Sequence, residues 1–126
     1  EMFIKGEEIL INELAMRPHN SGHWSIEGSV TSQFEQHLRA ILDLPLGSPA
    51  MNHPYAVMGN VLGGDKTDMY RPYLHLMART PSLHFHQYKK EVRKGRKIGH
   101  DAFVAQRLPV FFCPIHVIFY RDRTRR

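Results

Sequence analysis

Two short apolar runs near the start of the chain predict a β-hairpin. The runs at 2–4 and 9–11 flank a polar turn at 5–8 that contains a glycine. Such a hairpin places Glu1 opposite Glu13, to within one or two residues of register. A loop is expected to follow, from about residue 16 to residue 31.

The next periodic segment predicts an α-helix that begins at Ser32. Ser32 and Glu35 have the spacing of a capping box, in which the serine hydroxyl accepts a hydrogen bond from the first turn. Apolar residues then recur on one face of the helix, and the pattern stops at Pro45 and Gly47. The apolar stripe, which predicts a face buried in a core, consists of Phe34, Leu38, Ile41 and Leu42.

The rest of the pattern is mainly that of strands. Segments 55–62 and 83–88 are strand-like, and Lys94-Gly95 predicts a turn into a further strand at 96–100. Residues 65–82 show turn signals and one short helix at most. Helix and strands together predict an α+β fold.

Composition bounds the class of protein. With 126 residues, 42% of them hydrophobic and 23% charged, the chain predicts one soluble globular domain. The single cysteine, Cys113, excludes an intramolecular disulfide and fits the cytoplasm. The start has no signal-peptide pattern, and the apolar run at 108–120 is broken by prolines and too short to cross a bilayer.

The net charge of +5 is concentrated in two short segments. Residues 89–97 carry six basic side chains and one glutamate, and residues 121–126 carry four arginines and one aspartate, so the remainder is net acidic. This favours localised anion binding over a general polyanion surface. The alternative is a small nucleic-acid-binding module, whose binding would weaken steeply with salt. Because no aromatic residues interleave the basic ones, we expect no nucleic-acid partner.

The predicted hairpin would bring two carboxylates together. Glu1 and Glu13 would repel each other unless a cation lay between them. Magnesium suits such a position because it takes oxygen ligands, commonly one or two carboxylates with substrate phosphates. The alternative is a pair of solvated carboxylates at a strand end.

Residues 12–24 (NELAMRPHNSGHW) concentrate polar chemistry in a segment with little core-forming sequence. Arg17 offers a planar fork suited to a carboxylate, carbonate or phosphate oxyanion. His19 can donate or accept a proton near neutral pH. His19 and His23 would share a zinc ion only on a continuous helix, which Pro18 and Gly22 argue against.

A second histidine pair lies farther along the chain. His84 and His86 fall on one face of a predicted strand, with no cysteine or acidic residue close to them in the sequence. A zinc site is therefore not predicted there.

The segment at 12–24 resembles, almost letter for letter, a signature of one family. That family is the ATP-grasp ATPase subunit of phosphoribosylaminoimidazole carboxylase, also called 5-(carboxyamino)imidazole ribonucleotide synthase. Further similar blocks lie at 32–40, 44–47, 60–64 and 90–100, so the resemblance covers about the first hundred residues. The block RPHNSGH at 17–23 argues against other ATP-grasp carboxylases, such as biotin carboxylase or the formate-using purine transformylase.

The resemblance implies an activity and its small molecules. The expected reaction is ATP-driven carboxylation of aminoimidazole ribonucleotide by bicarbonate through carboxyphosphate, in purine biosynthesis. ATP and magnesium are the implied cofactors. A homodimer, and transfer of the product to the carboxyaminoimidazole ribonucleotide mutase, are also implied.

The resemblance also implies a role for individual residues. Glu1 and Glu13 would bind magnesium, Asn12 and Glu13 would contact ATP, and Arg17 and His19 would act at the carboxyphosphate step. Substrate would be bound by the following residues: Asn20, Ser21, His23, Lys90, Arg93, Arg96 and Lys97. Lys94 stands where the family usually has proline, which predicts a looser turn.

The implied organisation is the C-terminal part of an ATP-grasp domain at 1–47, part of a β-rich C-terminal domain at 48–100, and an atypical tail at 101–126. A shifted reading frame would explain the tail, and truncation after His100 would then spare every family-matched residue. The chain opens on Glu1 and has no glycine-rich phosphate loop. We therefore expect a missing upstream half and an isolated chain without activity.

Overall fold

A computed structural model describes residues 1–65, 67–106 and 117–121. Three α-helices and six strands form a two-stranded hairpin and a four-stranded antiparallel sheet within these residues. The α+β prediction is confirmed. Cys113 and most of the predicted tail lie outside the described residues.

The predicted hairpin is present, with a register one residue away from the nominal one. Strands β1 (Met2–Lys5) and β2 (Glu8–Ile11) pair so that Met2 faces Ile11. The turn has two residues, and Gly6 provides the positive φ of 64° that the first of them requires. Glu1 therefore lies beside Asn12, whose amide N donates to the Glu1 carbonyl at 2.9 Å. Every residue of both strands is exposed.

The helix predicted from Ser32 is confirmed as α2 (Gln33–Ile41), which follows the short helix α1 (Ser25–Gly28). Ser32 Oγ accepts from the Glu35 amide at 3.3 Å, as the capping pattern predicts. The predicted burial of the apolar stripe is wrong for the described residues: Phe34, the most covered of the four, is 38% exposed. The helix is instead held through polar side chains on its other face.

The main sheet provides the core. Its strands are β3 (Tyr55–Leu62), β4 (His84–Gln87), β5 (Lys97–Ala105) and β6 (Val117–Arg121), in the order β4-β5-β3-β6. The buried apolar side chains come from the sheet and the residue before β4: Ala56, Val57, Met58, Leu83, Ile98 and Ala102. Helix α1 packs against β3 and β5.

Strand β5 is longer than the sequence predicts. It continues five residues past His100, because 101–105 pair in register with Tyr55–Gly59 of β3. The predicted boundary at residue 100 thus falls inside a strand, and β6 pairs with the other edge of β3.

The segment between β3 and β4 forms helix α3 (Tyr70–Arg79), the short helix that the sequence predicts. The ring of Tyr73 lies 4.4 Å from that of Phe85 and anchors the helix on β4. Within the described residues, none of the helices has the length and apolar character needed to cross a membrane.

Candidate functional site

Two carboxylates and an imidazole converge where the hairpin meets the following loop. Ligand atoms of Glu1, Glu13 and His19 all lie within 4.8 Å of one another. His19 Nε2 is 2.7 Å from Glu13 Oε1 and 3.8 Å from Glu1 Oε2. Asn12 Nδ2 donates to Glu1 Oε2 at 2.9 Å. The structure thus brings together the two predicted magnesium ligands and adds the predicted catalytic histidine to them.

The ring of His19 is oriented by the residues that follow it. His19 caps a short 3₁₀ turn (Asn20–Gly22), and the Ser21 amide donates to its Nδ1 at 3.3 Å, with Ser21 Oγ at 2.9 Å. A nitrogen that accepts from a backbone N–H carries no proton of its own. Nε2 is therefore the protonated nitrogen of the neutral ring, and it donates to Glu13.

The donor set of this cluster fits a hard divalent cation. Glu1 and Glu13 are exposed acceptors on adjacent chain segments, and like charges so placed favour a cation between them. The Nε2–H group of His19 lies near both carboxylates, and the positive end of its dipole partly offsets their repulsion. The residues suited to magnesium are the two glutamates, with His19 beside them.

A second group of polar side chains joins the loop to the main sheet. Asn20 Nδ2 donates to Asn60 Oδ1 at 3.3 Å, and Asn20 Oδ1 accepts from Lys97 Nζ. Lys97 Nζ also lies 5.6 Å from the centre of the Tyr88 ring, and Lys90 Nζ lies 5.3 Å from it. Burial lowers the pKa of Lys97, and the charge of Lys90 lowers it further. Two cations next to one ring would therefore be stabilised by an anion.

Among the described residues, the side chains of three predicted site residues do not contact either group. Arg93 is exposed and forms an ion pair with Glu91 at 2.6 Å. Arg96 contributes its backbone, since its carbonyl accepts from the Gly63 amide at 2.8 Å. Arg17 Nη1 donates to the carbonyl of its neighbour Pro18 at 3.1 Å, and the side chain lines an open cleft.

That cleft lies between the loop and α2. Besides Arg17, it is lined by residues that include Trp24, Gln33, His37 and Leu46. The Trp24 ring packs on Gly28, where an added Cβ would meet it at 2.6 Å. Trp24 therefore packs against α1.

His23 is held in a ring cluster rather than beside the carboxylates. Its ring centre is 5.0 Å from that of His100 and 5.1 Å from that of Phe34, and its Nδ1 is 2.7 Å from Gln33 Nε2. Burial, followed by the charge of Lys97, lowers the pKa of His23 to about 4. The ring is therefore neutral at pH 7.

A part-buried polar contact that the sequence did not predict lies next to this cluster. His86 Nε2 lies 2.6 Å from Glu27 Oε1, so His86 does have an acidic partner, contrary to what the linear sequence indicated. The rings of His86 and His100 stack at 4.5 Å, and Tyr88 Oη is 2.8 Å from His100 Nδ1. Burial, followed by the charge of His86, lowers the pKa of His100 to about 3.

This contact does not form a metal site. Among the described residues, three histidine, cysteine or acidic side chains come within ligand range of one another only at the Glu1–Glu13–His19 cluster. Gln33 and Asn60 were also missed as site residues, although both lie in blocks that the family resemblance picked out.

Comparison with protein families divides the chain into two matched parts. The ATP-grasp domain profile matches residues 1–34, and the phosphoribosylaminoimidazole carboxylase C-terminal domain profile matches residues 56–109. The carboxylate cluster lies in the first part and Asn60, Tyr88 and Lys97 lie in the second. The contact between Asn20 and Lys97 therefore joins them.

Two bacterial relatives illustrate the sequence similarity. The N5-carboxyaminoimidazole ribonucleotide synthase of Mycobacterium tuberculosis H37Rv is 54% identical over 99 residues, which are 76% of this chain and 23% of that protein. The Escherichia coli K12 protein of the same name is 52% identical over 100 residues, 79% of this chain and 26% of that protein. The chain thus spans about a quarter of the length of the relatives it matches.

Solved structures of enzymes with such names are also similar to this chain. The N5-carboxyaminoimidazole ribonucleotide synthetase of Thermus thermophilus matches with a TM-score of 0.69 and 48% identity, over 83% of this chain and 27% of that one. The Aspergillus clavatus synthase in complex with ADP and 5-aminoimidazole ribonucleotide matches with a TM-score of 0.74 and 39% identity, over 85% and 30% of the respective chains.

Proposed function

Because the chain corresponds to the C-terminal portion of the ATP-grasp enzymes called N5-carboxyaminoimidazole ribonucleotide synthases, we propose that it serves in ATP-dependent carboxylation of aminoimidazole ribonucleotide. Bicarbonate attacks the terminal phosphate of ATP, which releases ADP and gives carboxyphosphate. Carboxyphosphate then delivers carbon dioxide to the exocyclic amine and leaves phosphate. The observation that carries the proposal is the convergence of Glu1, Glu13 and His19 within 4.8 Å.

The carboxylate cluster is the proposed metal and nucleotide end of the site. Glu1 and Glu13 would hold magnesium, which neutralises the charge of the nucleotide phosphates when bound. Asn12 donates to Glu1 at 2.9 Å, which fixes one carboxylate and leaves its amide oxygen for the nucleotide. Since the 126 residues contain no glycine-rich phosphate loop, backbone contacts of that kind to the nucleotide phosphates would come from protein outside this segment.

His19 and Arg17 are proposed to act on bicarbonate and carboxyphosphate. His19 is held by Ser21 with its Nε2 proton beside Glu13, so it can donate to an oxyanion or move a proton there. Arg17 is exposed, and its fork can pair with the carbonate or phosphate oxygens. Positioning and charge stabilisation of this kind are the main needs of phosphoryl transfer.

Lys90 and Lys97, which lie near the Tyr88 ring, are proposed to bind the phosphate of the nucleotide substrate. Lys97 Nζ donates to Asn20 Oδ1. Arg93 would join the two lysines after leaving Glu91, and Arg96 would join them through its exposed side chain. The remaining proposed substrate-binding residues are Ser21 and His23. A homodimer, a cytoplasmic location and transfer of product to the mutase are further proposals from the family resemblance.

A chimera provides the test. Residues 1–106 of this chain would replace the matching segment of the Escherichia coli relative, which is 52% identical. Release of ADP that requires both aminoimidazole ribonucleotide and bicarbonate is expected, within about tenfold of the unaltered relative. The isolated 126-residue chain should show no such turnover. A folded chimera that binds ATP and magnesium but shows no release dependent on aminoimidazole ribonucleotide would contradict the proposed function.

A further inference from the structure

Gln33, the first residue of α2, makes three hydrogen bonds to the predicted site segment. Its Oε1 accepts from the His19 amide at 2.9 Å, and its Nε2 donates to the His19 carbonyl at 2.7 Å. The same Nε2 is 2.7 Å from His23 Nδ1. We propose that Gln33 is a positioning residue that fixes the backbone of His19 and the tautomer of His23. This inference rests on the proposed function for its catalytic meaning, but not for its geometry.

The orientation of the Gln33 amide is determined by the backbone. Only its oxygen can accept from the His19 N–H, and only its nitrogen can donate to the His19 carbonyl. The second proton of Nε2 is therefore directed at His23, so His23 Nδ1 must be the acceptor. The proton of the neutral His23 ring then lies on Nε2.

The groups around His23 also favour its neutral form. Charged or titratable groups reach it from every neighbouring element: Arg17 and His19 on the loop, His86 and Tyr88 on or after β4, and Lys97 and His100 on β5. No acidic side chain is among them, so nothing in this set stabilises an imidazolium. Gln33 thus keeps His23 neutral with its N–H at Nε2. It also binds both the backbone N–H and the backbone carbonyl of His19.

Gly22 shows how closely the amide fits. A Cβ at position 22 would lie 2.5 Å from Gln33 Oε1, so a side chain there would displace the amide from His19. Gly22 also closes the 3₁₀ turn by donating to the His19 carbonyl at 3.0 Å. The small residue at 22 and the glutamine at 33 together keep the His19 peptide in place.

Gln36 provides a matched control on the same helix. Its Nε2 donates to the Gly47 carbonyl at 2.7 Å and its Oε1 accepts from the Gly47 amide at 2.9 Å, the same pair of bonds to a backbone peptide. Neither bond involves a histidine. A substitution at Gln36 therefore removes an equivalent backbone clamp without changing the partner of His23.

The first test measures the tautomer of His23 in the unsubstituted chain. In the ¹⁵N-labelled 126-residue chain at pH 7, the His23 ring should be the Nε2–H tautomer, with a hydrogen-bond coupling between Gln33 Nε2 and His23 Nδ1. His23 resonances are assigned from a His23→Asn variant. An Nδ1–H tautomer would overturn the proposal, whatever the enzyme turns out to do.

The second test compares Gln33→Glu with Gln36→Glu. A carboxylate at 33 favours a protonated Nδ1, so the pKa of His23 should rise from about 4 to its ordinary value of 6.5 or above. Gln36→Glu should leave it near 4. Equal pKa values of His23 in the two variants would refute the positioning role. If the unsubstituted chimera shows no turnover while its His23 ring is the Nε2–H tautomer, the proposed function fails and the positioning role of Gln33 stands.

Discussion

His86 Nε2 donates to Glu27 Oε1 at 2.6 Å, across 59 positions of sequence. Glu27 lies in the part that matches the ATP-grasp profile and His86 in the part that matches the C-terminal domain profile. The Glu27 side chain is 11% exposed and its other oxygen is buried without a hydrogen bond among the described residues. This contact and the Asn20–Lys97 contact tie the two matched parts together.

Replacing Glu27 by alanine should therefore destabilise the folded chain. The loss should be about 1–3 kcal/mol, because a mostly buried, charge-assisted hydrogen bond is removed and its histidine partner is left in place. Urea unfolding of the 126-residue chain gives the value. Glu35→Ala is the control: it breaks an exposed pair with Arg39 and should cost about 0.3–0.5 kcal/mol. Equal losses of unfolding free energy in the two variants would show that the Glu27–His86 contact stabilises the chain no more than an exposed ion pair does.

The stability of the chain should fall as the pH drops below about 6.5. The pKa values of His23 and His100 in the folded state are about 4 and about 3, below the ordinary value of 6.5. Between these values the unfolded chain binds more protons than the folded chain, so stability rises with pH. Each histidine contributes a slope of roughly 1.4 kcal/mol per pH unit in this window.

Unfolding measured from pH 7 to pH 4 tests this window. His100→Asn should remove the slope due to one histidine, whereas His84→Asn, at an exposed position, should not change it. A stability that is independent of pH below 6.5 would contradict burial of the neutral rings.

The sequence predicts local structure well where the signal is local. The Ser32 cap, strand β3 and the presence of the hairpin each depend on residues within a few positions of one another. The burial of the Phe34 stripe could not be predicted in the same way, because burial depends on what covers the helix, and the four side chains are exposed. The shift of the hairpin by one residue has a local cause: pairing Glu1 with Glu13 requires a turn centred on Glu7, whereas the observed turn is centred between Gly6 and Glu7.

The candidate site shows the same division. The spacing of Glu1 and Glu13 indicated a carboxylate pair, and the resemblance supplied His19 beside them. The Gln33 bonds to His19 and His23, and the Glu27–His86 contact, join residues 10 to 59 positions apart. No periodicity or charge pattern encodes such distances, so these contacts required the fold.

Glu13→Gln should abolish ATP turnover in the chimera while leaving it folded. The amide keeps the shape of the side chain but removes a charge that the proposed magnesium site needs. Glu8→Gln is the matched control, since Glu8 lies in the same exposed hairpin opposite Lys5. Turnover and circular dichroism are measured on both variants. Near-normal turnover in Glu13→Gln would remove Glu13 from the metal site.

Arg17→Ala should lower ADP release that depends on aminoimidazole ribonucleotide by at least roughly a hundredfold, the scale for one preorganised charge-stabilising donor. Its thermal stability should be unchanged, because the exposed side chain bonds only to the adjacent Pro18 carbonyl in the described contacts. Arg39→Ala, which breaks a surface pair on α2, serves as the control. A variant that loses stability but keeps its turnover per folded molecule would make Arg17 a structural residue.

Truncation after His100 should destabilise the chain, contrary to what the family resemblance alone suggests. The cut removes 101–105, which pair with Tyr55–Gly59, and also β6, which pairs with the opposite edge of β3. Strand β3 would then lose partners on both sides, and an unpaired apolar strand promotes aggregation.

Truncation after Arg121 is the matched control, since it keeps β5 and β6 intact. The two shortened chains would be compared with the parent by urea unfolding and by light scattering at equal concentration. Only the chain ending at His100 should unfold at lower urea and scatter more. If that chain is as stable and as monodisperse as the parent, residues 101–121 do not complete the sheet, and the boundary predicted at residue 100 is the correct one.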